Sequence, residues 1–240
     1  MKRKNRMVTW AKQHKFKALC LLGMAYILTE ILTIPYGRIA QLRVENPQKS
    51  ALMLHREEAA NREGHKLKIR HTWMPLSNIP QHVRQAVIVG EDGAFFSHHG
   101  VDWHEVWEST QTNLKKGGFA RGGSTITQQV AKNLYLSTAK TPMRKFREML
   151  MAFWMEAKLD KPRILEVYLN IIEWGPGIFG IEAAAQQYFH KTTKQLSREE
   201  GVRLAAVIPR PLHYRPHENS QYVLKKKAIL LKRLAARKKR

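Results

Sequence analysis

Apolar positions recur along most of this chain at helical spacing, and the alternation of a half-buried strand is almost absent. One apolar run stands apart, over 18–35. It is interrupted only by Thr29, Glu30 and Thr33 and follows a basic tail over 1–17. Spanning a bilayer takes about 20 apolar residues, about 17 at the short end, so this run is predicted to be a single transmembrane helix. A cleaved signal peptide has a similar pattern, but Pro35-Tyr36-Gly37-Arg38 follows directly with no small-x-small cleavage site. Lys2, Arg3, Lys4, Arg6, Lys12, Lys15 and Lys17 precede any acid, which puts the N-terminus in the cytoplasm and the rest of the chain outside it. The next segment, 36–71, is polar and charged with scattered apolar residues such as Ala51-Leu52-Met53-Leu54. It reads as a short helix and a membrane-proximal linker. The soluble domain then occupies 72–240.

Within that domain the pattern predicts a succession of helices. Pro80 opens one over 81–90 whose inner face carries Val83, Ala86 and Val87, leaving Glu91 at its C-terminal end. Asp102 caps a second helix, expected to bury Trp103, Val106 and Trp107 and to stop at Gly117-Gly118. Ser124 is the candidate cap of a third. There Ile126, Val130 and Leu134 make an apolar stripe, and Thr125, Gln128 and Lys132 a polar one. Thr141-Pro142 starts a longer helix with Phe146, Leu150, Phe153 and Ala157 as its apolar face, and Asp160-Lys161-Pro162 breaks it before another over 164–172. A tight loop over 175–180 precedes an alanine-rich helix over 182–189. Ser197-Arg198-Glu199-Glu200 is a capping box, and a basic helix over 222–237 ends the chain. The fold class expected is all-α, one transmembrane helix followed by one helical domain.

Composition changes this picture in two ways. The formal net charge is +23 over 240 residues, which calls for an anionic partner: nucleic acid, anionic lipid or a phosphate-bearing substrate. A single cysteine, Cys20, rules out an internal disulfide framework.

Candidate chemistry gathers in two polar blocks, 91–100 and 122–133, which read as walls of one cleft. Glu91 and Glu148 are the paired carboxylates: one can take a proton from a sugar hydroxyl while the other steers charge. The bland alternatives are a solvated carboxylate after a helix for Glu91 and a surface ion pair with Arg144 for Glu148. His98, His99 and His104 lack the spacing of a zinc site, so no protein-held metal is expected, and His98 reads as a structural hydrogen-bonding group. The Gly122-Gly123-Ser124 turn presents backbone N–H groups suited to an anion, and Lys132 and Lys140 add charge toward a phosphate. The alternative there is a plain helix start.

Taken together, the blocks resemble a known family. Glu91-Asp92-x-x-Phe95-x-x-His98-x-Gly100, then Gly122-Gly123-Ser124-Thr125-Ile126-Thr127-Gln128-Gln129-x-x-Lys132-Asn133, then Arg144-Lys145-x-x-Glu148, then Ile164-Leu165-Glu166-x-Tyr168-Leu169-Asn170 are similar to the ordered motifs of the peptidoglycan glycosyltransferases, the transglycosylase module of bifunctional penicillin-binding proteins. The resemblance runs from about Trp73 to Pro211, and with no transpeptidase domain after it the chain resembles the monofunctional members. It implies a lysozyme-like all-α fold and lipid II as substrate. Glu91 would be the general base that deprotonates the acceptor's 4-hydroxyl, and Glu148 matches the second glutamate. Undecaprenyl diphosphate would leave, its charge offset by Lys132, Lys140 and Arg144, with no tightly bound cofactor but with room for a divalent cation, Mg or Mn. Asp92, Phe95, His98, Thr125, Gln128 and Asn133 match positions that shape the cleft, and Ser124 and Gln129 complete the expected substrate-binding set. The implied location is the bacterial inner membrane, single-pass, with the catalytic domain periplasmic. The implied partners are lipid II, the growing glycan strand, membrane lipids and proteins of cell-wall synthesis or division, and no nucleic acid.

Two departures stand out. Lys140 replaces a usual Arg, keeping charge but not a two-pronged phosphate contact, and Trp174 and Pro176 alter the glycine loop. Two rival readings remain at this level. A membrane-anchored muramidase or lytic enzyme would share the fold type, but cleaving neutral glycan needs no diphosphate clamp. A basic membrane-tethered nucleic-acid binder or scaffold would use Lys225–Lys227 and Lys238–Arg240, and it leaves the two polar blocks without a purpose.

Overall fold

The structure is a computed structural model that describes the backbone of residues 2–118 and 122–238, and side chains from His14 to Arg237 except 119–121. The basic side chains expected at Lys2–Lys12 and at Lys238–Arg240 lie outside those described. The chain divides into two units, Met1–Pro35 and Tyr36–Arg240.

The first unit is one helix, α1 (Lys2–Leu32). Leu19, Leu21, Leu22, Leu28 and Leu32 are all exposed on it, and the stretch His14–Gln41 holds a window of mean hydropathy 1.8. It is long and apolar enough to cross a membrane.

The second unit begins earlier than the pattern predicted. The segment 36–71, read as a short helix and a membrane-proximal linker, holds more structure than that: it forms α2 (Tyr36–Gln41), α3 (Ala51–Arg62) and a short strand, β1 (Arg70–His71). Ile39, Leu42, Met53 and Ala60 are buried. Ser50 caps α3, its hydroxyl accepting from the Met53 amide at 3.1 Å. Inward residues fall only once every two turns on α3, too sparse to stand out against its charge.

The helices of the domain follow in the expected order: α4 (Gln81–Glu91), α5 (Trp103–Lys115), α6 (Ile126–Tyr135), α7 (Pro142–Lys158) and α8 (Lys161–Ile171), then α9 (Ile181–Phe189), α10 (Arg198–Val207) and α11 (Gln221–Lys238). Between α8 and α9 the expected tight loop is a hairpin, β2 (Glu173–Gly175) and β3 (Ile178–Phe179). β3 pairs antiparallel with β2 and parallel with β1. These strands are too short to show an alternating pattern. Gly177 turns the hairpin at φ +71°, and a Cβ there would come within 2.9 Å of the Lys68 carbonyl oxygen.

The core has two layers of contact: α6 packs against α7 and α8, and α4 packs against α10 and α11. Gly201 lets α10 approach α4 closely, since a Cβ there would meet Val83 Cγ2 at 2.9 Å. Val83, Ala86, Val87, Ile126 and Val130 are fully buried as expected, each larger aliphatic among them contributing roughly 1.5–3 kcal/mol.

Two apolar faces differ from expectation. On α5, Trp103 and Trp107 are 62% and 63% exposed, Val106 is half-buried, and Ser109 is the buried residue. That helix meets Gly123 through its small face: a Cβ on Gly123 would lie 2.7 Å from Ser109 Oγ. On α7 the inward stripe is Glu148, Met151, Ala152 and Met155. Phe146 and Leu150 are half-buried, and Phe153 and Ala157 are exposed. α7 carries apolar residues around most of its circumference, so two stripes fit helical spacing and only packing against α6 selects one.

Candidate active site

Glu91 closes the last turn of α4, whose buried face fixes where the carboxylate emerges. The side chain is packed in but keeps part of its surface open. Its Oε2 accepts a hydrogen bond of 3.0 Å from Gln129 Nε2 on α6. Burial raises its pKa above the ordinary carboxylate value. The Gln129 amide and the cations Lys226 and Lys132 pull it back down, and Asp92 pushes it up. Lys226 reaches this neighbourhood because α11 packs on α4: Leu230, one turn further along, would lie 3.4 Å from a Cβ on Gly90. The outcome is a carboxylate that binds its proton more tightly than usual yet sits among groups that favour its charged form.

Asp92, the C-cap of α4, is buried. Its oxygens lie 3.0 Å from His98 Nε2, and Oδ2 also accepts from the Ile126 amide at 3.0 Å. It thereby ties the end of α4 to the start of α6. Thr125, not Ser124, is the N-cap of α6. It forms a capping box with Gln128, and its hydroxyl donates to the Gly100 carbonyl at 2.6 Å. Thr125 and Gln128 are each 2% exposed and Phe95 is fully buried. Asp92, Phe95, His98, Thr125 and Gln128 were all expected to contact substrate. Their hydrogen bonds and packing go to protein, bracing the two blocks against each other. His98 Nδ1 is buried without a hydrogen-bond partner.

A pocket of about 350 Å³ opens beside this bracket. Gln129, Lys132, Asn133, Lys140 and Arg144 line it, all named from sequence, together with Arg56 and Glu173, which were not. The residues of α6 that line the pocket are therefore 129, 132 and 133, which share only Lys132 with the 125/128/132 stripe predicted. The capping box consumes the first two members of the latter. Lys132 is held with its pKa lowered, by burial first. Glu148 and Glu91 act against that shift, and Arg144 and Lys145 add to it. Lys132 thus feels the charge of both glutamates.

Glu148 is not on the surface. It is 2% exposed, and its Oε2 accepts from Arg144 at 2.8 Å while Oε1 accepts from Lys145. The surface-pair alternative for Glu148 fails because α7 turns this residue inward with Met151 and Met155. Ser124 is exposed and accepts a 2.8 Å hydrogen bond from Lys145 Nζ. The Thr141 side chain caps α7 at the Arg144 amide, with Pro142 in the first turn, so a cap sets the start of the helix bearing Arg144 and Glu148.

Three contributors escaped the sequence reading. Arg56 of α3 grips the buried carboxylate of Glu173 through Nε and Nη2, the shortest contact 2.7 Å. It links the segment read as linker to the hairpin at the pocket's edge. Lys145 was visible as part of a motif but had no assigned partner. Tyr168 lay inside the Glu166-x-Tyr168-Leu169-Asn170 block, yet nothing in the spacing connects it to Glu91. Among the described residues there is no cluster of three or more His, Cys, Asp or Glu that could hold a metal.

The arrangement is a base-like carboxylate next to a cation-lined pocket, which suits proton removal at one centre and support of an anionic leaving group at another. Comparison with known proteins points the same way. A transglycosylase family profile matches residues 57–235. A biosynthetic peptidoglycan transglycosylase of Chromobacterium violaceum is 40% identical over 220 residues, 92% of this chain and 96% of that protein. Proteins of the same name from Nitrosospira multiformis and Thiobacillus denitrificans are 41% and 42% identical, over 84% and 78% of this chain and 87% and 81% of their own lengths.

Proposed function

Because the chain belongs to the transglycosylase family, we propose that it polymerises lipid II with Glu91 as general base. That it is a peptidoglycan glycosyltransferase follows from the family and from relatives named biosynthetic peptidoglycan transglycosylase along most of its length. In the proposed step Glu91 removes the proton of the acceptor's 4-hydroxyl on N-acetylglucosamine. The oxygen attacks C1 of the donor's N-acetylmuramic acid, the C1–O bond to the diphosphate breaks, and undecaprenyl diphosphate leaves with the electron pair.

One observation carries the reading. The raised carboxylate of Glu91 is bonded to Gln129, and Gln129 also lines the pocket that holds Lys132, Lys140 and Arg144. Gln129 thus joins the base to the wall that carries the cations for the leaving group, although Glu91 itself does not line that pocket. Coulomb attraction in a partly buried pocket is stronger than in water, so these cations favour a diphosphate there. The side chains nearby do not suit a protein-held metal. Glu173 is engaged by Arg56, and Glu148 by Arg144 and Lys145. Mg or Mn, if used, would be held mainly by the diphosphate oxygens, and no step here runs through it. Trp174, which sits in β2 of the hairpin itself, is fully buried.

The test is detergent-solubilised full chain with labelled lipid II, set against purified cell wall. Glycan polymer from the first and no fragments from the second is the expected result. Sugar release from cell wall without polymer would convert the reading to a lytic enzyme.

The enzyme carries one N-terminal helix apolar enough to anchor it in a membrane. The basic tail before that helix supports a cytoplasmic N-terminus and a catalytic unit on the outer face of the bacterial inner membrane. A reporter fused after Arg240 should work only if it is competent outside the cytoplasm, and a cytoplasm-only reporter active there would reverse the orientation. Cell-wall synthesis or division proteins are the proposed protein partners. Affinity capture of the crosslinked full chain tests that, and recovery of neither class counts against it.

A further inference from the structure

Glu91 is the end of a hydrogen-bond chain that the proposed step does not itself require. Tyr168, on α8, is fully buried. Its hydroxyl donates to Gln129 Oε1 at 3.1 Å, and Gln129 Nε2 donates to Glu91 Oε2 at 3.0 Å. Three helices, α8, α6 and α4, each supply one member.

A primary amide is nearly symmetric in shape, so turning it over exchanges an acceptor for two donors at almost no steric cost. The two orientations are opposite in consequence for a neighbouring carboxylate. NH2 toward Glu91 stabilises the anion that can accept a proton. The amide oxygen toward Glu91 repels the anion and accepts from the neutral acid instead. Gln129 alone has no reason to prefer one of these at every pH. Tyr168 supplies the reason. A buried phenol that loses its acceptor leaves an unsatisfied O–H, and Gln129 Oε1 is the acceptor it meets. Burial, together with the Glu91 and Asp92 charges, holds the phenol's pKa well above its usual value, so the hydroxyl remains a donor throughout the working range.

We infer that Tyr168 is a positioning residue for the general base, its hydroxyl locking the Gln129 amide with NH2 toward Glu91. This rests on the reading of Glu91 as base. It also gives Gln129 a role distinct from the substrate contact expected for it. The other groups facing Glu91 are Lys226 from α11, Lys132 from α6 and Asp92 beside it, with the Tyr222 phenol of α11 near enough to feel its charge. None of these depends on Tyr168, so removing the hydroxyl isolates the amide.

The experiment uses the full chain with carbon-13-labelled glutamate, the Glu91 carboxyl signal being identified by its loss in Glu91→Gln. Tyr168→Phe keeps the ring and removes only the hydroxyl. The Glu91 titration should move to higher pH by about one unit, and the acid limb of kcat/KM for lipid II should move with it. The rate should recover toward wild type above the new limb. Gln129→Leu should shift the titration at least as far, and adding Tyr168→Phe to it should shift it no further, because the hydroxyl acts only through the amide. Gln129 is only half-buried, so Gln129→Leu alone keeps the test open if Tyr168→Phe unfolds: a Glu91 titration unchanged in Gln129→Leu overturns the inference. An unchanged Glu91 titration in Tyr168→Phe, or a rate lowered equally at all pH with no shift, overturns the inference. So does an additive double variant. If the carboxyl titration moves while the acid limb stays in place, the lock stands and Glu91 falls as the base.

Discussion

Glu91→Gln is expected to lower lipid II polymerisation by about 10²–10⁴-fold while leaving thermal stability nearly unchanged. The two halves of this expectation have separate causes. The amide oxygen of the new side chain can still accept from Gln129 Nε2, so the link from α4 to α6 survives. What disappears is the capacity to take a proton from the attacking hydroxyl. Stability follows from the direction in which the carboxylate is displaced. Its folded pKa is raised, by burial above all, so the folded chain holds this proton more tightly than the unfolded chain does. Above the folded pKa, ionised Glu91 therefore opposes folding, and that opposition fades as the pH falls and the group is protonated. A neutral amide removes it. Polymerisation rates and melting curves at neutral pH check both halves. A variant polymerising at the wild-type rate removes Glu91 from the mechanism, and one melting several degrees lower makes it a structural group.

How far the fold could be read from the chain depended on how many constraints agreed at each place. Helices with a cap, one apolar face and a stop were legible: α4, α8 and α10 lie where Pro80, Asp160 and the Ser197–Glu200 box put them. α5 and α7 were located correctly but turned about their axes. Aromatic residues at helical spacing look like a core face whether or not another element covers them, and among the described residues none covers Trp103 and Trp107. Only one short helix was read in segment 36–71, because its buried residues are few and its fold relies on distant partners, as in the Arg56–Glu173 pair.

The site divides in the same way. Residue types and order carried Glu91, Lys132, Asn133, Lys140 and Arg144 into one reading, and the pocket wall carries the last four. What spacing could not separate was contact with substrate from contact with the neighbouring block. Asp92, Thr125 and Gln128 are as polar as Lys132, but each makes a hydrogen bond within the cap of α6 or at its junction with α4. Tyr168 was out of reach altogether, since its partner lies on another helix.

Glu148→Ala is expected to lower both stability and polymerisation, in contrast to Glu91→Gln. Its carboxylate is buried between Arg144 and Lys145, with Lys132 close enough to feel its charge. Breaking a buried ion pair by removing one partner typically costs about 3–5 kcal/mol. Here Lys145 is nearly half-exposed and Arg144 is 17% exposed, so water can take up part of the uncompensated charge, and about 2 kcal/mol is the expected loss. For a domain of this size that lowers Tm by roughly 4–8 °C. The catalytic effect runs through Lys132. Burial, Arg144 and Lys145 already lower its pKa, and Glu148 is the first influence holding it up. Without Glu148 the Lys132 ammonium loses its proton at lower pH than in the wild type. The basic limb of the polymerisation profile should therefore move to lower pH, with the deficit growing as pH rises. Glu148→Gln keeps an acceptor for Arg144 but not the charge, so it should recover part of the Tm and little of the limb. If the two variants lose activity in proportion to Tm at every pH, Glu148 holds α7 in place and does nothing for Lys132. A basic limb displaced in both, with stability partly restored in Glu148→Gln, identifies Glu148 as the group that keeps the pocket's central lysine charged.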